Sequence, residues 1–107
     1  MKKLIQISVT APDKNTALKI GRSLVEKKLV SCMQITGPIQ SIYWWNNEIE
    51  DQEEYLCLAK TREDLFEAVK NEVYDLHPYE VPEIIAVPIL LTSKDYGRWI
   101  EEYTTGE

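Results

Sequence analysis

The chain is poor in the residues that usually announce chemistry, with one histidine and two cysteines among 107 residues. It contains no CxxC, HExxH, GxGxxG or GxxxxGK(S/T), so the familiar zinc, dinucleotide and P-loop signatures are all missing. A serine or cysteine nucleophile would have to find its base in His77, starting from Ser31, Ser41, Cys32 or Cys57. No spacing in the sequence brings these together, and the chain reads as a non-enzyme. Cys32 and Cys57 form no disulfide framework and no zinc pattern, which fits a reducing compartment. Basic residues are also scarce: 12 Lys and Arg stand against 18 Asp and Glu, a formal charge of −6. Such a surface repels phosphate backbones and argues against nucleic-acid binding. Long apolar runs are lacking too. Nothing approaches the ~18 residues of a membrane span, and Leu4–Thr10 alternates where a signal peptide would be continuously apolar. The expectation is a soluble cytoplasmic protein of one domain, residues 1–107, with 44% hydrophobic residues to build a core.

What is present is periodic. Ile5, Ile7 and Val9 alternate with polar neighbours, as a strand requires, and Ala11-Pro12-Asp13 breaks it with Asp13 placed to cap a helix. Ala17, Ile20, Gly21, Leu24 and Lys28 follow helical spacing, with Leu18 and Val25 widening the stripe. Strand character returns over Leu29–Ile35, meets a bulge or bend at Thr36-Gly37-Pro38, and resumes in the aromatic run Ile39–Trp45. Asn46-Asn47 is a tight turn, and the return strand goes from acidic (Glu48, Glu50, Asp51, Glu53, Glu54) to apolar (Tyr55–Ala59). A long hairpin follows, its base in the core and its tip outside. Thr61-Arg62-Glu63-Asp64 resembles a capping box before a helix through Leu65, Val69, Val73 and Leu76 that stops at His77-Pro78. Val81–Leu91 reads as an edge or bulged strand because of Pro82 and Pro88. Ser93 then caps a short helix with Tyr96, Trp99, Ile100 and Tyr103 on one face. The order predicts an α+β, ferredoxin-like split βαβ fold with an extra C-terminal helix. Two helices would cover one sheet face, and the surplus of Val, Ile, Trp and Tyr points to another subunit on the other.

His77 admits three roles: a helix stop facing the last carbonyls, a cation ligand partnered by Cys32, Cys57 or a carboxylate, or a proton carrier. Glu80 and Glu83 flank Pro82 nearby and are the carboxylates within reach. Glu48 and Glu50 point to one face of their strand, as a weak oxygen site for a hard cation would need. Tyr43, Trp44 and Trp45 are suited to stacking on a ligand or packing in a subunit interface. If the turn were followed by an unbroken ladder, Cys57 would face Thr36, and no cross-strand sulfur pair is expected.

Taken together, the "TAPD" after the first strand, "SIYWW" with an acidic hairpin, "KT" before a helix and "LHPYEVPEI" resemble the CutA1 family, the divalent-cation tolerance proteins. The resemblance runs from Thr10 to Trp99, in order and in spacing. It implies a homotrimer whose long hairpins pair between subunits, cytoplasmic, and linked to tolerance of copper and other divalent cations. No tightly bound cofactor is implied, but rather a weakly held copper or other divalent cation. Copper-binding relatives carry a cysteine before T-A-P-D and a doubled histidine; this chain has Val9 and Leu76 there, and Ser31-Cys32-Met33-Gln34 in place of an Ala-Cys-x-Asn stretch. The metal candidates that remain are His77, Glu80, Glu83 and Cys32. The architecture is also similar to the PII signalling proteins. That likeness implies, as the alternative, a small-effector sensor with an inter-subunit pocket lined by Lys60, Tyr79, Glu80 and Trp44.

Overall fold

The computed structural model describes residues 2–106. Strand β1 (Leu4–Ala11) leads into helix α1 (Lys14–Glu26), then into the hairpin of β2 (Cys32–Trp45) and β3 (Glu48–Arg62). A 3₁₀ turn (Glu63–Leu65), helix α2 (Phe66–Leu76), strand β4 (Ile84–Pro88) and helix α3 (Lys94–Glu102) complete the chain. The four strands form one antiparallel sheet in the order β2-β3-β1-β4, the split βαβ arrangement with an added helix that the pattern predicts. Among the described residues no helix is long and apolar enough to cross a membrane.

The core lies between one sheet face and α1 with α2. Ile5, Ile7, Val9 and Ala11 of β1 and Cys57 and Ala59 of β3 meet Ala17, Ile20 and Leu24 of α1 and Val69 and Val73 of α2. Asp13 caps α1 as expected, its Oδ1 accepting from the Thr16 N–H at 2.7 Å, and that bond holds its carboxyl below the usual range. Leu18 and Val25, however, stand exposed. They are seven residues apart and so share one azimuth, outside the arc that Ala17, Ile20, Gly21 and Leu24 bury.

Three further expectations are corrected. The second strand begins at Cys32, not Leu29, because the Leu29 and Val30 N–H groups are spent on the Leu24 carbonyl at the end of α1. Thr61 caps nothing: it is a buried residue of β3 whose Oγ1 donates to the Leu29 carbonyl at 2.6 Å, and α2 starts from the 3₁₀ turn without a side-chain cap. The last strand shrinks to Ile84–Pro88, the stretch that β1 can pair, and it is an edge strand as the prolines require. On α3, Ser93 does cap, accepting from the Tyr96 N–H at 3.2 Å. Tyr96, Trp99 and Tyr103 share a face as expected, Tyr96 stacked on Trp99 and Tyr103 tilted against it, while the buried residues of α3 are Gly97 and Ile100.

Helices α1 and α2 are clamped through Glu72, which accepts from the Ser23 hydroxyl and from Lys27 Nζ at 2.8 Å. The Lys27 hydrogen bond, and after it that of Ser23, hold the Glu72 carboxyl below the ordinary range. A carboxyl depressed in the folded state contributes stability above its unfolded pKa and loses it as pH falls through the folded value. The gap in Tm between the native chain and Glu72→Gln should therefore be open at neutral pH and close below about pH 4. A gap constant across that range would show that the clamp does not act through charge.

Candidate functional site

The bulge in β2 decides what the hairpin presents. Register runs Thr36↔Leu56 on one side and Ile39↔Glu54 on the other, so one residue is gained across Gly37-Pro38, whose peptide bond is cis. Cys57 consequently faces Ile35, not Thr36. The extra residue also inverts the alternation of β2. Below the bulge Ile35 shares the face of Cys57, toward the core; above it Tyr43 pairs with Glu50 and Trp45 with Glu48. These belong to the even-numbered face of β3, turned away from α1 and α2. Tyr43, Trp45, Glu50, Gln52 and Glu54 thus lie on one surface, while Trp44 and Ile49 point to the other.

Against this surface lies the segment after α2, pinned by His77. The ring is buried, with 7% exposure, and both nitrogens are engaged. Nδ1 accepts from the Tyr79 N–H at 3.1 Å, which places the ring proton on Nε2, donating to the Thr10 carbonyl at 2.7 Å. The rings of His77 and Tyr79 meet at 4.9 Å, tilted by 55°. His77 is thus the helix stop among its three predicted roles, reached by bonding to the end of β1 instead of to helical carbonyls. Coordination of a metal needs a nitrogen lone pair, and in this arrangement both ring nitrogens are committed to hydrogen bonds.

Between the hairpin and this segment opens a cleft of about 630 Å³, lined by Tyr43, Trp44, Trp45, Glu50, Gln52, Pro78, Tyr79, Glu80 and Val81. Tyr79 is directed against Tyr43 and Glu54. Burial first, then the Glu54 carboxylate, then Tyr43, hold its phenol above the ordinary tyrosine range. Glu54 is 4% exposed, and no ion pair among the described residues includes it.

The predicted site residues are divided by this geometry. Tyr79, Glu80 and Trp44 come together in the cleft; Lys60 does not. It sits near the base of β3 opposite Gln6 and Cys32, its Nζ donating to Gln34 Oε1 at 2.7 Å. Cys32 lies beside α3, 3.8 Å from the Tyr96 hydroxyl, and Glu83 is an exposed residue just ahead of β4. The predicted set of His77, Glu80, Glu83 and Cys32 is not assembled: among the described residues no three of His, Cys, Asp or Glu are grouped to hold a metal ion. Tyr43, Trp45, Glu50 and Gln52 also line the cleft and lie outside the predicted pocket. The signal that finds them is the Gly37-Pro38 bulge, counted as one extra residue.

A family model described as CutA1 divalent ion tolerance protein matches residues 5–103. A divalent-cation tolerance protein CutA of Thermus thermophilus is 39% identical over 98 residues, covering 92% of this chain and 95% of the relative. Protein CutA 1, chloroplastic, of Oryza sativa is 36% identical over 94% of this chain, which spans 56% of that relative's length. Among solved structures, CutA1 from Oryza sativa superposes with a TM-score of 0.95 at 34% identity, covering 99% of this chain and 97% of that one. A structure from Archaeoglobus fulgidus, described as a periplasmic divalent cation tolerance protein CutA, gives 0.91 at 39% identity over 94% and 98%.

Proposed function

The chain belongs to the CutA1 divalent ion tolerance family, and from that premise we propose that it serves tolerance to divalent cations, copper among them, by weak binding at carboxylates and without catalysis. The observation that carries this reading is the chemistry of the cleft: Glu50 and Glu80 line it, and no lysine or arginine does. Carboxylate oxygens suit hard or borderline cations held loosely, whereas a closed imidazole–thiolate cage would need the lone pairs that His77 has already committed. Calorimetric titration with Cu²⁺ and Zn²⁺ tests it. Glu50→Gln combined with Glu80→Gln should weaken binding about tenfold, since two carboxylate charges are removed from one cleft. Unchanged affinity would overturn the assignment of these carboxylates.

In this reading the working form is a cytoplasmic homotrimer. The support is an exposed apolar surface on the edge strand and beyond: Ile85 and Val87 are exposed, and Leu90 and Leu91 are 88% and 91% exposed. Two free cysteines, Cys32 and Cys57, accord with a reducing compartment. Light scattering should give three times the chain mass, and Val87→Lys should lower it; a monomeric native chain would refute the assembly.

A further inference from the structure

We propose that the cleft between the hairpin and residues 78–81 binds a small organic cation of the alkylguanidinium class. The inference rests on reading the cleft as a cation site and adds what its walls select. A bare Mg²⁺- or Ca²⁺-like ion asks for about six to eight oxygens at close range. The described residues gather not even three ligating groups, and the cleft, at about 630 Å³, is the size of a small-molecule site. Four of its nine lining residues are aromatic: Tyr43 and Trp45 from the inverted face of β2, Trp44 at its border, and Tyr79 across from them. Ring faces attract cations, and a planar guanidinium can stack on an indole while its in-plane N–H groups donate to carboxylates.

The acceptors for those donors are present. Glu50 pairs with Tyr43 on the hairpin, and Glu80 stands on the opposite lip. Behind Tyr79 lies Glu54, a buried residue that pairs with no cation among the described residues. A buried charge is ordinarily compensated by a partner of opposite sign, and a cation seated in the cleft would supply that sign a short way off. An anionic effector would meet the carboxylates of Glu50 and Glu80 and no base. A neutral ligand would leave the field of those carboxylates unopposed.

The test is to titrate the full chain, in its native assembly, with n-butylguanidinium and with its neutral isostere n-butylurea. Calorimetry and tryptophan fluorescence are both read. Butylguanidinium should bind saturably and butylurea at least about tenfold more weakly, the difference being the cation's interaction with rings and carboxylates. Glu50→Gln, Glu80→Gln and Trp45→Leu should each weaken the cation several-fold while Trp45→Phe restores most of it; these side chains are exposed or half-exposed, so Tm serves as the folding control. Equal affinity for the isostere, or no saturable binding by variants and native chain alike, would overturn the proposal. So would acetyl-arginine-amide binding over about tenfold tighter, because the occupant would then be a protein side chain rather than a free small molecule. Zn²⁺ binding that depends on Glu50 and Glu80 without any butylguanidinium binding would leave the divalent reading standing and this one refuted. Butylguanidinium binding without Zn²⁺ binding would do the reverse.

Discussion

Replacing His77 by alanine should lower the unfolding free energy by about 3–5 kcal/mol, because it empties a buried site and strands two backbone groups at once. The Thr10 carbonyl loses its donor and the Tyr79 N–H loses its acceptor, at positions where the imidazole is 7% exposed. Water cannot replace both partners unless the segment after α2 lifts away from the end of β1. That movement would take Tyr79 with it and expose Glu54, so the same substitution should degrade the cleft. His77→Gln can satisfy one of the two groups and should lose roughly half as much. Urea denaturation of both variants measures this. A loss below about 1 kcal/mol for alanine would mean that the two bonds do not pin the segment. The result also separates two roles for the histidine. If its work is to fasten the segment, Cu²⁺ and Zn²⁺ affinity of still-folded His77→Gln should stay close to that of the native chain, whereas a metal ligand would lose affinity without a matching loss of stability.

Gly37→Ala should cost about 1–3 kcal/mol through overpacking at the bulge. A Cβ built there would stand 2.7 Å from Tyr55 Cδ2, 3.0 Å from Tyr55 Cγ and 3.1 Å from the Glu54 carbonyl oxygen. The tyrosine ring is not the free end of a flexible chain, and the backbone at Glu54 and Tyr55 cannot retreat, because Tyr55 is already in register with Ala11 of β1. The strain should be relieved either by pushing the ring aside or by shifting β2. Adding Tyr55→Leu to Gly37→Ala tells these apart: recovery of part of the lost stability identifies the ring contact, and no recovery leaves the backbone contact as the cause. Wild-type stability in Gly37→Ala would refute the crowding altogether. A shift of β2 would also reach the cleft, since the bulge puts Tyr43 and Trp45 on its side of the sheet.

These two positions show where a linear reading succeeded and where it stopped. The core was legible: Ile5, Ile7 and Val9 at period two, and Ala17, Ile20, Gly21 and Leu24 at helical spacing, are buried as their periodicity demands. Edge placement of the last strand followed from Pro82 and Pro88, and the turn at Asn46-Asn47 is made with both residues at positive φ. Thr61 departs from the capping pattern because its hydroxyl answers to Leu29, thirty-two residues away, and a capping pattern carries no information about so distant a carbonyl. Within one chain, register with Gln6 and Cys32 holds Lys60 at the far end of the hairpin from Tyr79 and Glu80, a separation that no local pattern encodes. Tyr43 and Trp45, not Trp44, share the face of Glu50 and Gln52, because the bulge reverses the alternation of β2.

Local chemistry alone therefore settled the order of elements, the burying faces, the tight turn, the acidic character of the surface and the helix stop at His77-Pro78. Each depends on a residue and its neighbours within a turn or two of chain, where periodicity, capping and proline geometry act. Tertiary structure decided the partners. The nitrogens of His77 were claimed by Thr10 and Tyr79, Glu54 was enclosed by residues from two separate segments, and one extra residue at Gly37-Pro38 chose which aromatics face the cleft. Hydrogen-bond saturation and strand register are properties of contacts between distant parts of the chain, and they emerge when those parts meet.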